Sequence, residues 1–239
     1  MATFVLVHGG GHGGWCYTRL ARELRALGHE VHCPTLTGLG DRRHLLSKDI
    51  DLDTHIEDVV AFLFHEDLRE VYLAGHSYGG MVITGVADRA LDRIANLIFL
   101  DAAHPRDGES LSTIAKAQMD MAHSHATWVD GVECYELPDD MAAVAYGVTD
   151  LADAAWMKPR LAPHPWACMT TPLRLANEAA VMALPRTSIN CTPTLAIRPK
   201  EYLHRTLEAD FLFEIDTGHD LMISEPIAVA QMLDEVARA

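Results

Sequence analysis

The sequence predicts an α/β fold: a mainly parallel six-stranded sheet flanked by helices, carrying a mainly helical insertion. Three observations predict it. Short, wholly apolar runs, which suit strands buried on both faces, alternate with stretches whose apolar residues recur at helical spacing. That alternation stops near residue 104 and resumes near residue 191. Finally, 239 residues with 49% hydrophobic and 22% charged side chains suffice for one ordinary globular domain plus an insertion.

Residues 3–7 form the first apolar strand, and a glycine-rich loop follows from His8 to Gly14. Leu20, Leu24 and Leu27 then mark a helix, with Gly28 placed to end it. Residues 30–33 read as a second strand, stopped by Pro34. Asp53 or Thr54 is placed to cap a helix whose apolar face includes Ile56, Val60 and Leu63. A third strand at 70–74 runs into Gly75-His76-Ser77-Tyr78-Gly79-Gly80, then a helix over 81–90. The fourth strand, 97–100, ends at Asp101. A fifth at 194–197, a helix near 202–207, a sixth strand at 211–215 and a helix over 227–238 complete the pattern. The expected organisation is a core of residues 1–103 and 191–239 and a cap of residues 104–190.

Gly75-x-Ser77-x-Gly79 between a buried strand and a helix has the context required of a nucleophile elbow. Ser77 is the expected nucleophile, at a tight turn where a side chain on either glycine would meet neighbouring backbone. The oxyanion of a tetrahedral intermediate needs donors. One is expected from the Tyr78 N–H and one from the loop after the first strand, where Gly10 is the choice. Gly9 beside it is expected to touch substrate. That loop has no Gly-Lys-Ser/Thr ending, so it is not a phosphate loop; Gly9, Gly11 and Gly14 can be forced onto a dinucleotide pattern, but no acidic residue follows the second strand and that reading is weak.

The general base should be a histidine after the last strand, and Thr217-Gly218-His219 places one there; His8 and His12 read as structural, and His76 as pointing away from Ser77. Its carboxylate partner has more than one candidate. Asp101 closes the strand after the nucleophile helix and is preferred; Glu201 is second, and Asp216 would need an unusual local turn.

These segments resemble a known family. The run Val7 to Trp15, the elbow and Gly218-His219-Asp220 are similar to small α/β-hydrolases, within them to the group of plant methylesterases, hydroxynitrile lyases and bacterial esterase relatives. The resemblance implies a cofactor-free Ser-His-Asp hydrolase with a helical cap and with Gly10 and Tyr78 as oxyanion donors. Hydroxynitrile lyases carry Thr where this chain has Gly9 and Lys where it has Asp220, so lyase activity is not expected. Plant members place the acid after the next-to-last strand, where this chain reads Arg198-Pro199-Lys200-Glu201; that departure is a further reason to favour Asp101. Residues 79–89 resemble bacterial members acting on methyl esters and methyl carbamates, including benzimidazole-carbamate hydrolases.

The expected function is cleavage of a small, largely apolar carboxylic ester through an acyl-enzyme. The alternatives are carbamate or amide cleavage by the same residues, or a small-molecule binding protein with a vestigial triad. Trp128 and Trp156 are the expected substrate contacts, with Tyr135, Trp166, Met119, Met121, Met157 and Met169 as further candidates for an apolar wall. No metal or cofactor is expected, and the partner is a small-molecule substrate. A net charge of −15 lacks the basic footprint of a nucleic-acid binder. No apolar run reaches the length of a bilayer span and no signal-peptide pattern is visible. Five scattered cysteines without a CxxC pair suit free thiols, so a cytoplasmic location is expected.

Overall fold

A computed structural model describes residues 1–137 and 139–239. The strands are β1 (Thr3–Val7), β2 (Glu30–His32), β3 (Val71–His76), β4 (Ile94–Leu100), β5 (Thr127–Val129), β6 (Val132–Tyr135), β7 (His164–Pro165), β8 (Arg186–Cys191) and β9 (Phe211–Ile215). The main sheet has the order β2-β1-β3-β4-β8-β9, and every pairing in it is parallel.

Side-chain alternation explains why these strands read as continuous apolar runs. In β1, Val5 and Val7 enter one core while Phe4 and Leu6 enter the other. In β4, Leu97 and Phe99 face the first core and Ile98 and Leu100 the second. A strand covered on both sides has no polar face to show. Each fully buried Leu or Phe contributes about 1.5–3 kcal/mol relative to exposure.

The helices are α1 (Thr18–Ala26), α2 (Leu52–His65), α3 (Gly79–Arg89), α4 (Leu111–Ile114), α5 (Lys116–His123), α6 (Asp139–Ala145), α7 (Leu151–Met157), α8 (Trp166–Thr170), α9 (Glu178–Met182), α10 (Thr192–Ile197), α11 (Lys200–Leu207), α12 (Leu221–Ser224) and α13 (Pro226–Arg238). Helices α1 and α13 pack together on one sheet face, α2 and α3 on the other. Helix α2 begins one turn earlier than its apolar pattern suggests. Asp51 accepts from the Thr54 N–H while the Asp51 N–H donates to the Thr54 hydroxyl, a reciprocal cap that leaves Asp53 outside the role.

Two further expectations are corrected. Residues 194–197 are not a strand but the body of α10, with Pro193 in its first turn, where a missing N–H costs nothing. The sheet's fifth strand is β8, whose Thr187 to Cys191 are buried; short apolar runs such as Leu195 to Ile197 do not separate strand from helix by pattern alone. The sheet therefore resumes at Arg186, inside the stretch expected to be cap. The insertion is mainly helical, and β5, β6 and β7 form a small antiparallel sheet within it. Among the described residues no helix is long and apolar enough to cross a membrane.

Candidate active site

Strand β3 ends at His76 and delivers Ser77 into the left-handed region, at φ 53°. For a residue with a Cβ this costs on the order of 1–3 kcal/mol, and the neighbouring glycines make it possible. A Cβ on Gly75 would sit 2.6 Å from the Gly79 carbonyl oxygen, and one on Gly79 would sit 2.6 Å from the Val7 carbonyl oxygen. The turn is thus closed by contacts only glycine allows, and Ser77 is set at the sheet's carboxyl edge.

Three side chains meet there from distant parts of the chain. The Ser77 hydroxyl donates to His219 Nε2 at 2.9 Å, and His219 Nδ1–H donates to Asp101 Oδ2 at 2.6 Å. Asp101 follows β4, is also in the left-handed region at φ 46°, and its own N–H is tied to the Ile189 carbonyl. Its other oxygen, Oδ1, lies 3.4 Å from the Arg198 guanidinium and accepts from the Cys191 N–H. Burial works against ionising the Asp101 carboxyl, but the His219 hydrogen bond and charge, with Arg198, hold it below the usual carboxylate range. Burial likewise pushes His219 down, and Asp101 outweighs that, so its pKa lies above the ordinary histidine value. Glu201 lies exposed on α11, and Asp216 accepts from the Thr192 hydroxyl; neither is hydrogen-bonded to His219.

The glycine loop is fixed peptide by peptide. The Gly9 carbonyl accepts from His8 Nδ1–H at 2.9 Å and from the His12 N–H at 3.4 Å. In a trans peptide the N–H points opposite the carbonyl, so these bonds direct the Gly10 N–H the other way. The Gly10 carbonyl accepts from His12 Nδ1–H and from the Tyr146 hydroxyl, while the Gly11 N–H donates to His164 Nδ1. Among the described residues, neither the Gly10 N–H nor the Tyr78 N–H has a protein acceptor. Gly9 has no room for a side chain: a Cβ would lie 2.9 Å from Ser77 Cβ.

Behind this loop lies a buried polar layer. His12 Nε2 lies 2.9 Å from Asp220 Oδ2, and His76 Nε2–H donates to the His219 carbonyl at 3.0 Å. Burial pushes His8 and His76 down to about 3, so both rings stay neutral. His55, His164 and Cys168 bring possible ligand atoms within 4.8 Å of one another. Both His55 nitrogens are already committed, Nε2–H to the Thr37 carbonyl and Nδ1 to the Tyr78 hydroxyl, and His164 Nδ1 to Gly11. This group is a hydrogen-bonded support for the elbow and the glycine loop.

Ser77 and His219 open into a cavity of about 390 Å³. Its wall includes Leu111, Ile114, Met119, Met121 and Tyr135 from the insertion. The two tryptophans expected there lie elsewhere. Trp128 projects from β5 and is 71% exposed. Trp156 packs edge-on against Trp15, with the guanidinium groups of Arg19 and Arg160 about 5 Å from its ring. Met157 and Met169 are core residues, and Trp166 is buried against His123. The small antiparallel sheet turns Trp128 outward, a placement that aromatic content alone does not reveal. The sequence reading passed over Tyr146, His104, Gln118 and Arg198; only the departure of Arg198-Pro199-Lys200-Glu201 from the plant pattern drew attention to the last of them.

A serine at a strand–turn–helix elbow, in line with a histidine and a buried carboxylate at the edge of a parallel sheet, defines a class of nucleophilic hydrolase. Comparison with known proteins agrees. The chain belongs to the alpha/beta hydrolase family, whose model matches residues 4–232, and it is a hydrolase of the esterase kind. It is 37% identical to the carbendazim hydrolyzing esterase of Nocardioides sp. (strain SG-4G), covering 98% of both chains. It is 28% identical to Methylesterase 7 of Arabidopsis thaliana, covering 98% of this chain and 95% of that one. Among solved structures, an extracellular alpha/beta-hydrolase from a Paenibacillus species superposes with a TM-score of 0.82 at 24% identity, covering 98% of each, which speaks to the fold.

Proposed function

We propose that the chain hydrolyses small, largely apolar carboxylic esters through an acyl-enzyme formed on Ser77. The observation that carries this is the hydrogen-bonded series Ser77–His219–Asp101 lining an apolar cavity. His219 Nε2 takes the Ser77 proton as Oγ attacks the ester carbonyl. The oxyanion that forms is received by the N–H groups of Gly10 and Tyr78. Asp101 keeps His219 in the tautomer whose Nε2 is free and stabilises the imidazolium. That imidazolium then protonates the departing alcohol, and water, activated by the same histidine, releases the acid.

Residues 104–185 act in this reading as a cap that selects the substrate, over a core made of the rest. Five free cysteines fit a reducing, cytoplasmic location.

The 37% identity with a carbendazim hydrolyzing esterase favours a second reading, cleavage of a methyl carbamate by the same groups. Here His219 must protonate a poorer leaving group. Initial rates on aryl acetates, aromatic methyl esters and a methyl aryl carbamate, with products identified by mass, separate the readings. Turnover that persists in Ser77→Ala would overturn both.

A further inference from the structure

The cavity wall is apolar except for a few groups, and three of these, His104, Gln118 and Arg198, carry buried polar atoms with no hydrogen-bond partner among the described residues. His104, following β4, is 8% exposed, and neither ring nitrogen has a hydrogen-bond partner among the described residues. Gln118, on α5, has its Oε1 buried and equally unpartnered. Both residues line the cavity that opens on Ser77. Leaving such atoms unpaired in a folded chain is costly, and native interiors seldom do so without a purpose.

The setting of His104 determines what it offers. One ring face stacks on Phe99, with centroids 4.0 Å apart. Burial holds its pKa well below the ordinary value, and the guanidinium groups of Arg198, Arg186, Arg106 and Arg205 push the same way. A neutral imidazole presents one N–H donor and one bare nitrogen acceptor. Gln118 Oε1 adds a second acceptor. The nearby guanidinium groups disfavour a cation.

We propose that His104 and Gln118 form a recognition site for an uncharged aromatic substrate ring that carries a hydrogen-bond donor beside an acceptor. The proposal rests on the hydrolase reading in taking this cavity as the substrate's. A site built to bond such a ring rejects its all-carbon analogue, because the analogue leaves these atoms unpaired. The discrimination should be about ten- to a hundredfold, the range expected from one or two such bonds.

The test compares methyl 7-azaindole-3-carboxylate with methyl indene-3-carboxylate. The ratio of kcat/KM should favour the azaindole ester by that factor. His104→Phe keeps a ring against Phe99 and removes both nitrogens; Gln118→Met removes the amide from a half-buried helix position where folding is not at risk. Each should bring the ratio toward one. A wild-type ratio of one, or a ratio that neither variant moves, overturns the proposal. If neither ester is turned over, the esterase reading fails alone. Calorimetric titration of Ser77→Ala with 7-azaindole and with indene then decides: tighter binding of 7-azaindole that Gln118→Met abolishes supports the site, and equal binding overturns it.

Discussion

The two walls of the cavity hold their polar groups in contrasting ways. On the sheet side, the carbonyls of Gly9 and Gly10 are each held by two donors, and His219 is held at both ring nitrogens and at its carbonyl. On the insertion side, Leu111, Ile114 and Met119 offer no directional bond, and the Gln118 carbonyl oxygen has no partner among the described residues. Directional bonds fix atoms to fractions of an ångström, as proton transfer and oxyanion capture require. An apolar wall excludes water and sorts ligands by size and hydrophobic fit without fixing any one atom. The difference suggests that reaction type resides in the first wall and substrate choice in the second.

The largest effects should come from the sheet side. Ser77→Ala should lower kcat by up to about a millionfold on every substrate, with thermal unfolding unchanged. An equal loss spread between kcat and KM would blur the contrast. Asp101→Asn should cost about 10⁴ in kcat, since the amide allows the wrong histidine tautomer. Glu201→Gln, on the exposed face of α11, should leave kcat within about twofold, as surface changes away from the chemistry do. A large loss in Glu201→Gln with a small one in Asp101→Asn would reverse the assignment of the acid.

The boundary between the walls is itself testable, because the insertion reaches into the sheet-side frame. Tyr146 donates its hydroxyl to the Gly10 carbonyl and accepts the Asp220 N–H on its own carbonyl. The Ala162 N–H donates to the Gly11 carbonyl, and His164 accepts from the Gly11 N–H. Tyr146→Phe should therefore lower kcat by about tenfold, the worth of one hydrogen bond in a buried site, with little change in KM. A change confined to KM would return Tyr146 to the substrate wall.

The legibility of the sequence follows the same division. The elbow, the glycine loop and the histidine after the last strand were visible because their chemistry demands particular residues at particular spacings: Gly75 and Gly79 where an added Cβ would lie within 3 Å of backbone, Ser77 between them. The parallel strands were visible because burial on both faces leaves continuous apolar runs. The insertion was not. Its hairpin is only seven to nine residues long, and whether Trp128 faces the cavity or solvent depends on strand register, not composition. Strand β8 was missed for a related reason: Arg186 and Asn190 interrupt its apolar pattern, while the apolar run of α10 imitates a strand.

The smallest expected effect concerns the cation beside the triad acid. Arg198 lines the cavity, lies 3.4 Å from Asp101 Oδ1, and donates to the Ala102 carbonyl and the Thr206 hydroxyl. His219 must be neutral to accept the Ser77 proton, so activity falls as pH drops through its pKa. Asp101 raises that pKa above the ordinary value and Arg198 opposes the rise. Arg198→Met removes the opposition, so the His219 pKa should climb and the acid limb of kcat/KM should move to higher pH. The alkaline plateau, where His219 is neutral in both proteins, should change less than the rate at acid pH. A uniform loss across the pH range, with the limb unmoved, would mean that Arg198 holds the Ala102 turn in place and has no part in tuning the base.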